Sequence, residues 1–183
     1  MPRRGPEAGN THTFSNSLGR HLQYSQTGSE ESFFTKTCRV VHGALMFRKI
    51  LKVTSKNEGD IINIMSDVEE AVRESGIQEG LVHLFVQHST AALTTMEFEP
   101  GVVSDFRRAL SVLAPDDAAY AHNARWGDGN GRSHVKAALV GPSLTIPLAN
   151  GAVMCGTWQQ IVMLELDVNA GRERAIICSV DET

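Results

Sequence analysis

Three histidines carry the strongest chemical signal in the chain. His88 ends an apolar run (Leu81 to Gln87) and opens the polar pair Ser89-Thr90, where a rigid element hands over to a loop. Such a position holds a side chain accurately while leaving it reachable. His122 precedes Asn123 at the start of the longest polar stretch, and His134 follows that stretch, with Asp128 and Asn130 between them. Neutral imidazoles bind Zn²⁺ or a similar divalent ion, and three protein ligands leave one position open for water or substrate. Asp128 or Asn130 would then orient an imidazole from behind. The spacing fits no zinc-finger pattern, and three unrelated surface or capping histidines are the competing reading.

Other residue types add to this set, each with two readings. Glu97 is either a general base or acid, or a solvated charge beside Glu99 and Pro100. Lys136 is either a point charge for a phosphate or a solvated lysine. It shares a face with His134 in a strand and lies opposite it in a helix. Trp158 and Gln159, after Gly156-Thr157, either floor a pocket for a planar ligand or simply pack. Asp116-Asp117 either chelates Mg²⁺ on a diphosphate or begins a short helix. Of the other histidines, His12 and His21 lie in the N-terminal segment, His42 in the first strand region, and His83 reads as a structural strand histidine.

The elements that position these groups are mostly strands. Val40 to Val53 holds two strand-like stretches, the second with Lys and Arg interleaved, as in a strand with one wet face or an edge guarded by charge. Asp60 to Ile64 reads as a short strand. Ser66 and Glu69 form a capping box for a helix with Val68 and Val72 on its inner edge and Gly76 at its end. Leu81 to Gln87 is apolar on both faces, as in a central strand. Val103, Phe106, Leu110 and Leu113 recur at helical steps over Gly101 to Leu113, and Pro115 closes that helix. Ser133 to Val140 fits a two-turn helix capped by Ser133, or a strand. Leu144 to Pro147, Ile161 to Leu166 and Ala175 to Val180 are strand-like, with turns at Gly151 and Gly171. Strands outnumber helices without alternating with them, so the predicted class is α+β.

Composition bounds the rest. With 183 residues and an apolar fraction of 42%, the chain suits one domain plus a tail. Residues 1–35 are polar and aperiodic and read as a disordered extension; residues 36–183 read as the folded domain. Seventeen basic against twenty-one acidic residues give a net charge of −4, which argues against nucleic-acid binding. No apolar run nears the roughly 18 residues of a membrane span, so no membrane partner and a cytoplasmic location are expected. Targeting to an organelle by the extension is the alternative. Cys38, Cys155 and Cys178 form no CxxC pair and read as buried thiols.

The order of motifs resembles one family. His88-Ser89-Thr90-Ala91-Ala92-Leu93-Thr94, with Glu97 soon after, is similar to the His-Thr-Ser/Thr-Ala signature of the YjbQ family, also described as secondary thiamine-phosphate synthases. Pro115-Asp116-Asp117, Tyr120, His122-Asn123 and Ser133-His134-Val135-Lys136-Ala137 follow in the family's order. So do Gly141 to Pro147, Gly156-Thr157-Trp158-Gln159 and Glu165-Leu166-Asp167, and the likeness spans roughly residues 37–181. The resemblance implies two packed, mainly antiparallel sheets with a few helices, assembled as a homotrimer. It also implies a metal-associated pocket lined by His88, His122 and His134, with Zn or Mg as the metal. The implied reaction joins a pyrimidine methyl diphosphate to a thiazole phosphate and releases diphosphate, so a small phosphorylated substrate is expected. One departure is Met96, where the family commonly has Asn before the glutamate. A metal-dependent hydrolase and a non-catalytic metal- or ligand-binding oligomer are the alternative functions.

Overall fold

The computed structural model describes residues 13–15, 21–23, 36–41, 44–169 and 171–183. The chain divides into two compact units, Met1–Phe33 and Phe34–Thr183. In the first, β1 (Thr13–Ser15) and β2 (His21–Gln23) pair antiparallel. The rest of the expected disordered extension lies outside the described residues, as do His12 and His42.

The second unit holds nine strands and four helices among the described residues. In chain order these are β3 (Lys36–Val41), β4 (Ala44–Thr54), β5 (Ile61–Asn63), α1 (Met65–Ser75), β6 (Gly80–Val86), β7 (Ala91–Met96), α2 (Pro100–Leu113), α3 (Ala121–Trp126), α4 (Gly131–Val140), β8 (Ser143–Ala149), β9 (Ala152–Val153), β10 (Gln160–Glu165) and β11 (Glu173–Glu182). A six-stranded sheet runs in the order β3-β4-β11-β6-β8-β9, and a three-stranded sheet in the order β5-β10-β7. Every pairing is antiparallel. The α+β class read from the sequence is therefore the observed one.

Side-chain alternation explains the layering. On β6, Val82, Leu84 and Val86 point inward, and on β11 Ile176, Cys178 and Val180 do the same. They meet Leu93, Ile161 and Met163 from the small sheet, and Val68, Ala71 and Val72 from α1, in one apolar core. The opposite face of the small sheet presents Ile61, Ala92, Val162 and Leu164 to Leu110 of α2 and Ala137 of α4. The small sheet is thus buried on both faces, which is why β10 is apolar at every position from Ile161 to Leu164. β6 is central in its sheet, as predicted, but Phe85 on its outer face is 46% exposed, so only one face is core.

Two predicted caps differ from the structure. α1 starts at Met65, so Ser66 lies inside its first turn; Asn63 Oδ1 accepts from the Met65 N–H at 2.9 Å instead. Ile64 sits fully buried at the N-cap, and that packing fixes the helix start ahead of the serine. Ser133–Val140 is helical, but α4 begins at Gly131 and Ser133 is wholly buried within it. Asp116 and Asp117 lie in a turn, with the next helix starting only at Ala121. Cys155 and Cys178 are free thiols, and burial pushes the Cys178 thiol up to about 12.

Candidate metal centre

Beneath the histidines lies a buried ionic network at the end of β10 and the start of β11. Glu165 is fully buried and Arg174 is 2% exposed. Arg174 Nε donates to Glu165 Oε2 at 2.7 Å, and Ser55 Oγ donates to the same oxygen at 2.8 Å. Asp167, 3% exposed, accepts from Thr90 Oγ1 at 3.0 Å, from Asn130 Nδ2 at 3.3 Å and from the Asn169 N–H at 2.8 Å. Burial raises the pKa of both carboxyls, but the hydrogen bonds and arginine charges outweigh it and hold both below their ordinary range. The Glu165 hydrogen bond in turn raises the Arg174 guanidinium against the opposing effect of burial. Both carboxylates are therefore anionic supports.

The turn between α3 and α4 folds back over this network. Asn123 Oδ1 accepts from the Gly131 N–H at 2.8 Å, and Asp128 Oδ1 accepts from the Asn130 N–H at 3.1 Å. Gly131 is needed there, because an added Cβ would press on the Tyr120 side chain, with Cγ only 2.7 Å away. This turn brings His122, Asp128 and His134 together, with one ligand atom from each within 4.8 Å of the others. His122 Nε2 stands 3.2 Å from Asp128 Oδ1, and the two imidazoles meet edge to face at 4.5 Å. The Asn130 N–H, joined by the His122 ring, lowers the Asp128 carboxyl pKa and outweighs desolvation, keeping it ionised.

This donor set fits a divalent metal. Two donors at about 2.0–2.1 Å from one tetrahedral ion stand roughly 3.4 Å apart, close to the His122–Asp128 separation. His134 Nδ1 lies 3.2 Å from the Ser89 carbonyl oxygen. A carbonyl only accepts, so Nδ1 carries the proton and Nε2 keeps a free lone pair, the arrangement typical of a ligating histidine. Asp128, expected to orient an imidazole, instead stands within the cluster of candidate ligand atoms.

His88 borders a cavity of about 430 Å³ that is lined also by Asp128, Asn130, His134, Asp167 and Arg172. Its Nε2 accepts the Ala175 N–H at 3.2 Å, and it is not one of the three clustered candidate ligands. Burial, with the Arg174 charge behind it, lowers the His88 pKa, so the ring stays neutral.

The remaining predicted residues stand elsewhere in the chain. β7 begins at Ala91, just after Thr90 at the histidine end; Ala91 pairs with Glu165 while Met96 pairs with Gln160. Six strand residues at about 3.3 Å each put Glu97 roughly 20 Å from the pocket. Gln159 is at that far end too, with Nε2 donating to Thr95 Oγ1 at 3.3 Å, and its neighbour Trp158 is 70% exposed. Lys136 lies on the opposite side of helical α4 from His134. Its ammonium is 3.2 Å from Asp116 Oδ1, in a separate cavity of about 270 Å³ floored by Ile61, Leu110, Leu164 and Leu166. The helical reading of this segment therefore separates Lys136 from the histidines, and the strand register separates Glu97. Asn123 serves as a backbone clamp rather than facing the cavity. Arg172 and Arg174 gave no sequence signal; a buried arginine is legible only once its strand is known to end beside two carboxylates.

Comparison with known proteins agrees with this architecture. Residues 49–182 match the family described as UPF0047 protein YjbQ-like. A UPF0047 protein of Methanothermobacter thermautotrophicus is 38% identical over 135 residues, 74% of this chain and 92% of that protein. The UPF0047 protein YjbQ of Escherichia coli O157:H7 is 31% identical over 139 residues, 72% of this chain and 96% of its own length. Among solved structures, a YbjQ-like protein of unknown function from Sulfolobus solfataricus superposes with a TM-score of 0.71 at 29% identity, covering 75% of this chain and 98% of that one. A YjbQ/UPF0047 family protein from Clostridium acetobutylicum gives 0.65 at 32% identity, covering 72% and 98%. The chain belongs to the UPF0047 YjbQ-like family.

Proposed function

We propose that His122, Asp128 and His134 hold a divalent metal, zinc by their donor types, in an active site for a small phosphorylated substrate. The reaction proposed is of the thiamine-phosphate-synthase kind, joining a pyrimidine methyl diphosphate to a thiazole phosphate with loss of diphosphate. The observation that carries the metal reading is the clustering of two imidazoles and one carboxylate with one imidazole proton fixed on a carbonyl. When bound, such a metal supplies electrophilic stabilisation of developing negative charge. Arg172, with a half-exposed guanidinium anchored through Nε to the Asn169 carbonyl at 3.1 Å, supplies a cation on the cavity wall for a phosphoryl group. The polar wall of the cavity positions the substrate, while Asp167 and Glu165 hold the wall rigid.

The test is complementation of a strain lacking thiamine phosphate synthase, alongside metal analysis of the purified chain. Rescue by wild type, lost with His134→Ala while folding persists, supports the transferase. Failure of metal-loaded wild type to rescue, or to form thiamine phosphate from the two precursors, removes it. A specific feature favours metal-dependent hydrolysis as a second reading. Asp116, one half of the acidic pair suited to a Mg–diphosphate, is engaged by Arg132 at 3.1 Å and Lys136 at 3.2 Å, away from the histidines. Release of phosphate from simple phosphoesters, abolished by His122→Ala, is the outcome that selects it. Homotrimeric assembly is proposed from the resemblance and is supported by exposed Val112, Leu113, Trp126 and Leu139; light scattering on the purified chain decides it.

A further inference from the structure

We propose that His88 is a hydrogen-bond donor of fixed tautomer, presenting Nδ1–H to an anionic oxygen of the substrate, and not a third metal ligand. This rests on the metal reading above for the place of the substrate, but the tautomer follows from the fold. The last paired residues of β6 and β11 are Val86 and Ile176. One step beyond, the Gln87 N–H donates to the Ala175 carbonyl at 3.2 Å. The reciprocal bond goes to the His88 ring: the Ala175 N–H donates to Nε2 at 3.2 Å. The imidazole thus replaces a carbonyl as the acceptor that closes the strand ladder.

A neutral imidazole has one donor nitrogen and one acceptor nitrogen. With Nε2 accepting a peptide N–H, the proton sits on Nδ1, and neither nitrogen is free to ligate. Ligation through Nε2 takes the lone pair away from Ala175 and leaves a peptide N–H unpaired. Ligation through Nδ1 moves the proton to Nε2, where it faces the Ala175 N–H donor to donor. Either costs a backbone hydrogen bond at the head of β11, next to the buried Arg174. His134 has the opposite polarity, with Nδ1 held by a carbonyl and Nε2 left as an acceptor. One fold therefore prepares one histidine as ligand and the other as donor.

The ring borders the cavity that also holds Asp128, His134 and Arg172, and no group among the described residues engages Nδ1. An N–H and a guanidinium on one cavity wall, beside a metal-ligand cluster, suit an oxyanion with several oxygens, such as a phosphoryl group.

The test uses the full metal-loaded chain with two conservative variants. His88→Gln keeps an acceptor near the position of Nε2 but loses the Nδ1 donor. His88→Asn keeps an N–H near the position of Nδ1 but loses the acceptor. Metal per chain is measured by elemental analysis, inorganic phosphate binding by calorimetry, and the tautomer by ¹⁵N–¹H long-range correlation. Expected are wild-type metal content in His88→Gln, phosphate binding weakened about ten- to a hundredfold, and partial recovery of binding in His88→Asn. The His88 spectrum should show a pyrrole-like Nδ1 and a pyridine-like Nε2, with or without metal. Metal loss in His88→Gln matching that of His134→Ala, an Nε2–H tautomer, or unchanged phosphate affinity each overturns the proposal. A wild-type chain that takes up no metal refutes the metal centre instead, and the tautomer and phosphate measurements then judge His88 separately.

Discussion

Replacing Arg174 by Met should be among the most damaging single changes in the chain, because it strands a buried charge. Arg174 is 2% exposed and Glu165 is fully buried, so neither has water as an alternative partner. Without the guanidinium, Glu165 keeps only the Ser55 hydroxyl and the Asp167 N–H, which donates at 2.9 Å. Breaking a buried pair from one side costs about 3–5 kcal/mol, mostly the uncompensated charge left behind. Urea unfolding at pH 7, comparing midpoints at constant slope, measures it. The pH dependence gives a second reading. In the wild type the Glu165 pKa is depressed on folding, so the pair's stabilisation is complete above the ordinary carboxylate pKa and is lost as pH falls through the lower folded value. In Arg174→Met the remaining burial raises that pKa, so Glu165 takes up a proton on folding and the deficit against wild type narrows as pH falls. The double variant Glu165→Gln/Arg174→Met should cost less than the sum of the singles by about 0.5–3 kcal/mol. A loss below about 1 kcal/mol for Arg174→Met, or strictly additive singles, would refute the reasoning.

Two further changes probe the frame around the site. Gly131→Ala places a Cβ against the Tyr120 ring where α3 meets α4, and should destabilise by about 1–3 kcal/mol and lower metal content; a thermal melt unchanged from wild type contradicts the close approach. Met163→Ala empties a fully buried position between the two sheets and should cost about 2–5 kcal/mol in chemical denaturation with metal content unaltered.

The histidines were legible because each sits at a change of texture, from apolar strand to polar loop or from polar loop to helix. The strands of the large sheet were legible through alternation, and α2 through its three-and-four spacing. The site's floor was not. Glu165 and Asp167 look like an ordinary polar end to an apolar run, and only the pairing of β10 with β7 sets them under Thr90. Glu97 and Lys136 stand away from the histidines for the same reason. Closeness in sequence to a histidine says nothing about which end of a strand, or which side of a helix, a residue occupies. Periodicity left helix and strand open for Ser133 to Val140, and that ambiguity alone decided the place of Lys136.

Asp167 is where the pieces of the site converge, and its replacement separates positioning from folding. Its carboxylate accepts from Thr90, next to the Ser89 carbonyl that fixes His134, and from Asn130, whose carbonyl receives the His134 N–H at 3.1 Å. It also receives the Asn169 N–H and lies 3.8 Å from Arg172, holding the loop that carries the cavity's exposed cation. Asn is nearly isosteric and still accepts through one oxygen, but it supplies no charge to the two arginines and offers an NH₂ where an acceptor is wanted. Asp167→Asn should therefore fold, while the candidate ligands it steadies become less well aimed. Loss of an outer support of this kind typically weakens metal binding about 10–100-fold. Competition with a chelating indicator measures the affinity, and circular dichroism with a melt establishes the fold. Unchanged metal affinity in a folded Asp167→Asn chain would mean that His122, Asp128 and His134 are held by α3 and α4 alone, and that the buried network serves stability only.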